Sequence, residues 1–414
     1  MHSIYNAAIG VYGWTIRCAA LFHSKARLWV NGRRGWKHHL VEWRKRNPGD
    51  VIWMHCASLG EFEQGRPLVE AIRRNTPSKL IVITFFSPSG FEIRKNYPGA
   101  NLVMYLPQDS PSNVAFFLSA LRPSQALFVK YEYWANYFFG CKKANIPLYI
   151  ISGVLRPDQR FFGWASSFWR KVLGCVSHFF VQDQQTFDLL GSLDLHNATI
   201  SGDTRFDRVL EISERPTRMK EIEEFKSGKL CLVVGSSWRE EEDAVRTWLE
   251  SHARSGDGEV KIIIAPHDIS DTVVENLAGI FSKSVRWSER DQVNLISARV
   301  IIMDTMGMLS SLYAYADVAF IGGGFGKGIH NILEPAVYGV PVIFGPAYSA
   351  FNEAVELVKL GGAYAIQDRQ HFPETFHQLL VNAEERKNAG RIALDFVRAH
   401  RGATERILSS PDFV

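Results

Sequence analysis

The sequence lacks the short motifs and the long apolar runs that mark several common classes of protein. It contains neither a Walker loop nor a GxSxG motif, and no cluster of His, Cys and Asp has the spacing of metal ligands. Its five cysteines are scattered and form no CxxC pair, which argues against a disulfide framework and fits a reducing compartment. No low-complexity linker or internal repeat is visible. We therefore expect no bound metal.

Length and charge indicate two globular domains with a local basic segment. A chain of 414 residues is too long for one core, and its hydrophobic content of 46% is ordinary for a globular protein. Residues 1–46 hold nine Lys and Arg but a single acid, Glu42, whereas the remainder holds 38 basic and 42 acidic residues. Because the basic charge is confined to this segment, we expect the partner that it binds to contact this segment.

Residues 1–46 are predicted to associate with a membrane surface. The apolar stretch begins at Ile4, but its uncharged part ends at Ile16, short of the ~20 residues that span a bilayer. Aromatic and basic residues alternate at helical spacing, at Trp14, Arg17, Phe22, Lys25, Arg27 and Trp29. This pattern favours a helix in the membrane interface, and Arg33 and Arg34 would also meet anionic lipid. The alternative is a helix packed on its own domain. No nucleic-acid motif accompanies the charge, so no nucleic-acid partner is expected.

Residues 47–207 are predicted to form a Rossmann-like domain. Short buried runs alternate with helical stretches, which implies a parallel sheet covered on both faces. The predicted strands are Val51–Cys56, Leu80–Phe85, Leu102–Leu106, Ala126–Val129, Leu148–Ser152, His178–Val181 and Ala198–Ser201. Ligands of such sheets bind beyond the carboxyl ends of the strands, so candidate residues lie in the loops that follow.

Four of these loops carry candidate residues. After the first strand, Ser58 and Gly60 precede Glu61, which either takes a proton from an attacking hydroxyl or complements the helix dipole. Later loops carry Ser89, beside a predicted cap at Ser87, and then Glu132 and Arg156. Each of these residues has a plain alternative as a helix cap or a solvated surface charge.

Residues 208–414 are predicted to form a second α/β domain, which would face the first across a cleft. Its predicted strands are Leu230–Gly235, Val260–Ala265, Val300–Met303, Val318–Ile321 and Val340–Phe344, with a helical tail from Phe372 to Ile407. Small and polar residues follow the strands, including Ser236 and Ser237, His267, and the run Thr305, Met306 and Gly307. Small residues that open a helix suit an anion, although a lone histidine is more often structural.

A glycine-rich stretch from Ile321 to Pro346 is the most informative part of this domain. Gly322, Gly323, Gly324 and Gly326 lie in a loop between a buried strand and a short helix, which would let a phosphate approach the backbone. Asn331 and Glu334 are three residues apart and should share a face of that helix. The stretch predicts a nucleotide site, with a tight turn of packing glycines as the alternative.

The ordered motifs of the whole chain resemble one family. They are His55-x-x-Ser-x-Gly-Glu61, Thr84-x-x-Ser-Pro-Ser-Gly90, Glu132-Tyr-Trp-x-Asn136, Gly235-Ser-Ser with Glu241-Glu242, Asp304-Thr-Met-Gly307, Asp317-Val-Ala-Phe-Ile-Gly-Gly323, and Asn331-x-x-Glu-Pro-Ala336 with Phe344-Gly-Pro346. This set is similar to that of the 3-deoxy-D-manno-octulosonic acid (Kdo) transferases of lipopolysaccharide synthesis, which are two-domain glycosyltransferases of the GT-B type.

The resemblance implies a function and a role for each matched position. The chain would transfer Kdo from CMP-Kdo to a lipid A precursor, with inversion and without metal or cofactor, at the cytoplasmic face of the bacterial inner membrane. Glu61 would be the general base. The first domain would bind the acceptor, with Arg33, Arg34, Ser58, Gly60, Ser89, Glu132 and Arg156. The second would bind CMP through Ser236, Ser237, His267, Thr305, Met306, Gly307, the glycine loop, Asn331 and Glu334.

The sequence departs from the family's pattern in a few places. The Pro-Arg-His of the family appears as Pro266-His267-Asp268, which leaves open which cation meets the donor's phosphate or carboxylate. Arg205 stands where lysine is common. Two alternatives are another GT-B transferase that uses a UDP-sugar and a lipid acceptor, and a membrane-associated nucleotide-sugar-binding protein without catalysis. The presence of Glu61 after a strand speaks against the second.

Overall fold

The structure is a computed structural model that describes residues 1–163, 166–214, 217–252 and 260–413. Its contacts divide the chain into two compact units, Met1–Arg208 with Arg401–Val414, and Val209–His400. The basic N-terminal segment belongs to the first unit. The last residues also belong to the first unit, and not to the second domain, where the sequence placed them.

The first unit is built on a parallel sheet of seven described strands in the order β3-β2-β1-β4-β5-β6-β7. The strands are β1 (Val51–Cys56), β2 (Leu80–Phe85), β3 (Leu102–Tyr105), β4 (Gln125–Val129), β5 (Leu148–Gly153), β6 (His178–Val181) and β7 (Ala198–Ile200). Every residue of β1 and β4 is buried because helices cover both faces. The predicted strands are all present, with ends that differ by at most one residue.

Three helices precede β1, namely α1 (His2–Ala19), α2 (Ser24–Asn31) and α3 (Trp36–Arg46). The helices between the strands are α4 (Leu59–Asn75), α5 (Pro88–Arg94), α6 (Pro111–Leu121), α7 (Ala135–Lys143), α8 (Ser166–Leu173) and α9 (Gln184–Ser192), and α10 (Thr204–Glu214) follows β7. Serine caps the helices that begin with proline: Ser87 precedes α5 and Ser110 precedes α6. These caps supply acceptors for amides that have no partner within the helix.

The second unit repeats the architecture, with strand order β10-β11-β9-β8-β12-β13-β14. Its described strands are β8 (Cys231–Ser237), β9 (Lys261–Pro266), β10 (Ser284–Arg286), β11 (Val300–Ile302), β12 (Val318–Ile321), β13 (Val342–Phe344) and β14 (Ala363–Ala365). The five predicted strands are present. The edge strands β10 and β14 were not predicted, because each has only three residues and lacks a long apolar run.

The helices of the second unit continue the chain order. They are α11 (Lys220–Lys226), α12 (Arg239–His252), α13 (Asp271–Ile280), α14 (Leu309–Leu312), α15 (Leu333–Ala336), α16 (Asn352–Leu360), α17 (Phe372–Val381) and α18 (Ala383–Ala399). The fold class predicted from the sequence, two doubly wound α/β domains, is therefore confirmed.

The chain then returns to the first unit with α19 (Ala403–Leu408). The Asp207 carboxylate accepts the Gly402 amide at 2.5 Å and the Thr404 amide at 2.6 Å, which caps the start of α19. Ile407 is fully buried in the core beside β1 and β2. Capping and burial together hold the tail on the first unit.

Candidate functional site

The strand order of the first sheet reverses between β1 and β4, and the loops after these two strands carry two predicted carboxylates. Glu61 lies in the first turn of α4, and Glu132 follows β4. Loops that leave adjacent parallel strands toward opposite faces open a crevice at such a point, where ligands of α/β sheets bind. The topology therefore places both residues at the expected edge of the sheet.

Glu61 caps its own helix through one carboxylate oxygen. The Ser58 amide donates to Glu61 Oε2 at 3.0 Å, and the Ser58 side chain meets the Glu61 backbone amide in return, which makes a capping box. The Ser58 hydroxyl also donates to Oε2. Within the described part of the chain, no hydrogen bond reaches Oε1. The side chain is half-buried. Helix capping and proton transfer can therefore use different oxygens of one carboxylate.

The loop that carries Ser89 packs against the loop that carries Ser58. A Cβ on Gly90 would lie 3.0 Å from the Ser58 carbonyl carbon, so the two backbones are nearly in contact. Ser89 is exposed, and its hydroxyl lies 3.0 Å from the Ser87 hydroxyl, which caps α5. Gly60 is exposed beside them. The structure thus brings Ser58, Gly60, Glu61 and Ser89 together.

Glu132 is held by two rings. The Trp134 indole N–H donates to Glu132 Oε2 at 2.7 Å, and His55 Nε2 lies 3.5 Å from the same oxygen. His55 is fully buried, and its Nδ1 lies 2.9 Å from the Thr84 hydroxyl. The sequence did not single out His55 as a site residue, although it opens the His55-x-x-Ser-x-Gly-Glu61 motif.

The predicted cations of this unit have different surroundings. The Arg33 guanidinium donates to the carbonyls of Leu106 at 2.8 Å and Phe86 at 2.9 Å, and it stacks on Trp29. Burial lowers the pKa of Arg33 to about 9. These contacts favour a structural role for Arg33, whereas Arg34 and Arg156 are exposed and remain predicted acceptor contacts.

In the second sheet the order reverses between β8 and β12, and the loops after these strands are tied together. The Gly322 amide donates to the Gly235 carbonyl at 2.9 Å. Glu241 accepts the Trp238 amide at 2.9 Å and the Gly323 amide at 3.0 Å, one on each carboxylate oxygen. Burial raises the pKa of Glu241 to about 7. This buried carboxylate joins the two loops at the point where a ligand would bind.

Most of the predicted glycines pack against the protein's own backbone. A Cβ on Gly322 would lie 2.0 Å from the Ser236 carbonyl oxygen, and one on Gly324 would lie 2.4 Å from the Gly345 nitrogen. Gly323 is also buried, whereas Gly326 is exposed. The alternative interpretation, a tight turn of packing glycines, therefore fits Gly322, Gly323 and Gly324. Gly326 faces solvent.

Asn331 and Glu334 lie together, as the spacing predicts. Asn331 Nδ2 donates to Glu334 Oε1 at 3.1 Å, while Asn331 Oδ1 accepts the Leu333 amide at 3.1 Å. The helix α15 is a single turn, and its first amide is occupied by this cap. The side chains of Asn331 and Glu334 remain predicted nucleotide contacts.

A cavity of about 250 Å³ collects a different subset of the predicted donor residues. Ser236, His267, Thr305, Met306 and Gly307 line it, whereas Ser237, the four predicted glycines, Asn331 and Glu334 do not. Ser237 is buried and donates its hydroxyl to Glu242 at 2.9 Å. The described residues contain no group of three or more His, Cys, Asp or Glu that could hold a metal ion.

The sequence analysis did not identify His330 as a lining residue of this cavity. Its ring stacks on His267 with a centroid distance of 4.8 Å, and His267 stacks on Trp238 at 4.6 Å. The only local signal was its position within the glycine-rich stretch. Its contact with His267 depends on the parallel pairing of β12, β8 and β9. Patterns in a single sequence do not specify this pairing.

The N-terminal segment forms two helices, because α1 ends at Ala19 and α2 begins at Ser24. Leu21 and Phe22, between them, are 70% and 90% exposed, and Trp14 is 64% exposed. Trp29 is 5% exposed, so its predicted place in the membrane interface is wrong. It packs edge-on against Phe86 instead.

The start of α1 is fixed to the first unit by buried polar groups. The Tyr5 hydroxyl donates to Asp109 at 2.6 Å, and Asn136 Nδ2 donates to Asn6 at 2.8 Å. Asn136 of the Glu132-Tyr-Trp-x-Asn136 motif thus contributes to helix docking. None of the helices within the described residues combines the length and apolarity that a membrane span requires.

A family model matches part of the chain, and named relatives align over most of it. Residues 32–208 match the family model described as 3-Deoxy-D-manno-octulosonic-acid transferase (kdotransferase). The 3-deoxy-D-manno-octulosonic acid transferase of Chlamydophila psittaci is 28% identical over 355 residues, covering 82% of this chain and 79% of the relative. The protein of the same name from Bordetella pertussis is 26% identical over 374 residues, covering 87% and 86%.

A solved structure is similar over most of the chain. The UDP-GlcNAc 2-epimerase from Neisseria meningitidis bound to UDP-GlcNAc superposes with a TM-score of 0.60 at 13% identity, covering 87% of this chain and 98% of that one. At this identity the likeness shows the two-domain α/β fold alone.

Proposed function

Because this chain is a glycosyltransferase of the 3-deoxy-D-manno-octulosonic acid (Kdo) transferase family, we propose that it transfers Kdo from CMP-Kdo to the lipid A precursor lipid IVA. The observation that carries the catalytic part of this proposal is the position of Glu61. Its carboxylate lies beyond β1 at the reversal of the sheet, with Oε2 used in the helix cap and Oε1 left without a described hydrogen bond.

Glu61 would act as the general base of an inverting displacement. Its Oε1 takes the proton of an acceptor hydroxyl, the hydroxyl oxygen forms a bond to the anomeric carbon of Kdo, and the bond from that carbon to the phosphate oxygen breaks. The electron pair of the broken bond leaves with CMP. One displacement inverts the anomeric centre. Ser58 would orient Glu61, because its amide and hydroxyl fix the carboxylate by the other oxygen.

The donor would bind to the second unit. The cavity beside Ser236 and His267 combines polar side chains with an apolar wall of methionines. The Asn331–Glu334 pair, outside this cavity, adds polar groups on the same unit. Ser236 has a φ of 51°, and non-glycine residues with such backbone strain cluster at functional sites. In the first unit Glu132, Arg34, Arg156 and Ser89 would contact the acceptor.

Mass spectrometry would test the proposed reaction. Purified protein, incubated with CMP-Kdo and a tetraacyl lipid A precursor, should release CMP and add Kdo to the lipid. The same incubation with UDP-GlcNAc in place of CMP-Kdo should give no new lipid product. Transfer from the UDP-sugar alone would reject the proposed donor.

The N-terminal helices would hold the protein on the cytoplasmic face of the bacterial inner membrane. The exposed side chains of Trp14, Leu21 and Phe22 offer the apolar surface, and Arg17, Lys25 and Arg27 offer charge for anionic head groups. The acceptor is a lipid, so this placement would bring the enzyme to its substrate.

We expect the triple substitution Trp14→Ser, Leu21→Ser and Phe22→Ser to lower binding to vesicles that contain phosphatidylglycerol roughly tenfold or more, since each side chain contributes about 1.5–3 kcal/mol when buried. Co-sedimentation would measure this. Point substitutions are preferable to deletion of α1, because Tyr5 and Asn6 help to hold the first unit together.

The matched control replaces Leu360 and Val381 by serine. These side chains are 56% and 63% exposed on the second unit, outside the basic segment. Their loss should leave sedimentation unchanged. If the triple variant sediments like the wild type, the N-terminal helices do not bind the membrane through these residues.

A further inference from the structure

The cavity in the second unit has an unusual lining for a site that would receive a phosphate. Among the described residues that line it there is no lysine, arginine, aspartate or glutamate, and the ionisable side chains are His267 and His330. The remaining lining is apolar or hydroxylic, with Met303, Met306 and Met308 prominent. A phosphate in this cavity would therefore find its cationic partner in an imidazole.

The two imidazoles are parts of one ring cluster. The His267 ring stacks on Trp238 at an interplanar angle of 22° and on His330 at 29°. The Trp238 indole N–H lies 3.5 Å from His330 Nε2, at the outer limit of a hydrogen bond. Trp238 is 45% exposed and His267 is also exposed, so a ligand can reach the cluster without opening the core.

We propose that His267 and His330 are the phosphate-binding residues of the donor pocket, and that this histidine pair takes up a proton from solution when the nucleotide binds. This inference rests on the proposed function, since it takes CMP as the nucleotide of the donor. It assigns the cation that the Pro266-His267-Asp268 sequence leaves open. It also gives His330 a phosphate-binding role that follows only from its position in the structure.

The surroundings of His330 in the free protein disfavour its protonated form. Burial, and then the nearby His267, lower the pKa of His330 below its ordinary value of 6.5. Two stacked imidazolium ions 4.8 Å apart would repel each other, so the pair holds one proton more readily than two. A phosphate supplies the missing counter-charge, which favours the protonated form. Binding and protonation are therefore linked.

The carboxylates near the cluster have assigned contacts. On the β8–α12 side, Glu241 binds two amides and Glu242 accepts from Ser237. Asp268, next to His267, accepts the Ser270 amide, and Asp304 accepts the Ser288 amide. Lys327 lies on the glycine loop and is exposed. Among these groups Glu241 is the competing proton site, because its pKa is about 7.

The direction of the pH dependence follows from the linkage. The affinity for CMP should be highest at low pH, where the pair is already protonated, and should fall as pH rises above the lowered pKa of free His330. The CMP affinity should decrease by nearly tenfold per pH unit, about 1.4 kcal/mol. This decrease should continue until the pH reaches the raised pKa of the histidine pair in the complex. Measurements belong above about pH 6.5, because the second ionisation of a phosphate monoester lies near pH 6.

Isothermal titration calorimetry of the full chain with CMP, in two buffers of different ionisation enthalpy, measures the proton uptake directly. We expect uptake on the order of one proton near pH 7.5 for CMP, and none for cytidine, which lacks the phosphate. His330→Gln and His267→Gln should reduce the uptake and flatten the pH profile. In a folded Glu241→Gln protein the proton uptake should persist. A thermal melt of each variant identifies any that fail to fold.

The outcomes separate this inference from the proposed function. If CMP does not bind the wild type at any pH, the proposed donor is wrong. If CMP binds without proton uptake, or if a folded His330→Gln protein keeps the wild-type uptake, the histidine assignment is overturned while the proposed function stands. Loss of the uptake in Glu241→Gln alone would assign the proton to Glu241, which also overturns the inference.

Discussion

Replacement of Glu61 by glutamine is expected to lower the rate of Kdo transfer roughly 10³-fold while CMP still binds, since a positioned general base contributes about 10²–10⁴ in rate. A glutamine amide cannot take the proton of the acceptor hydroxyl. Its carbonyl oxygen can still accept the Ser58 amide that now donates to Glu61 Oε2, so the cap of α4 should persist. The variant therefore separates the catalytic role from the structural one.

Initial rates of CMP release and the melting temperature of the first unit would measure the two roles. Glu42→Gln is the matched control, because it removes a surface carboxylate whose partner is Lys45, in α3. This control should be as active as the wild type. Wild-type turnover in a folded Glu61→Gln protein would reject Glu61 as the base, and inactivity through unfolding would show as a lowered melting temperature.

Replacement of Gly322 by alanine is expected to separate the two loops at the reversal of the second sheet. The added Cβ would lie 2.0 Å from the Ser236 carbonyl oxygen, and this neighbour is backbone that cannot rotate away. Overpacking of this kind costs about 1–3 kcal/mol and sometimes more, and here the upper end is expected. Because Ser236 lines the cavity, CMP affinity should fall at least tenfold.

Urea unfolding and CMP titration would measure these effects. Gly279→Ala in α13 is the control, since no atom lies within 4 Å of an added Cβ there. Alanine in a helix should leave stability unchanged or raise it by up to about 1 kcal/mol. A Gly322→Ala protein with wild-type stability and CMP affinity would mean that the contact between Gly322 and Ser236 is not required for the pocket.

Much of the fold could be predicted because strands in a doubly wound sheet carry their signal locally. A run such as Val51–Cys56, buried on both faces, is apolar throughout and stands out between helical stretches. Edge strands such as Ser284–Arg286 are half-buried and short, so their sequence carries no comparable signal. Strands that are buried on both faces could therefore be predicted from the sequence, whereas short and half-buried edge strands could not.

The N-terminal segment shows how one pattern supports two outcomes. Trp14 and Trp29 both lie within a helical turn of basic residues in the sequence, yet Trp14 is exposed and Trp29 is buried beneath Arg33. Helical spacing defines a face of a helix. It does not say whether a protein core or a solvent boundary covers that face. The packing of α2 on Phe86 decided this for Trp29.

The sequence by itself determined the two α/β domains, the local basic charge at the start, and the loops in which Glu61 and the glycine-rich stretch lie. These features depend on neighbours within a few residues. Only the packing of the fold brings Gly322 onto Ser236, His330 beside His267, and the tail back to Asp207. Each depends on residues far apart in the chain, and strand pairing and core packing set those distances.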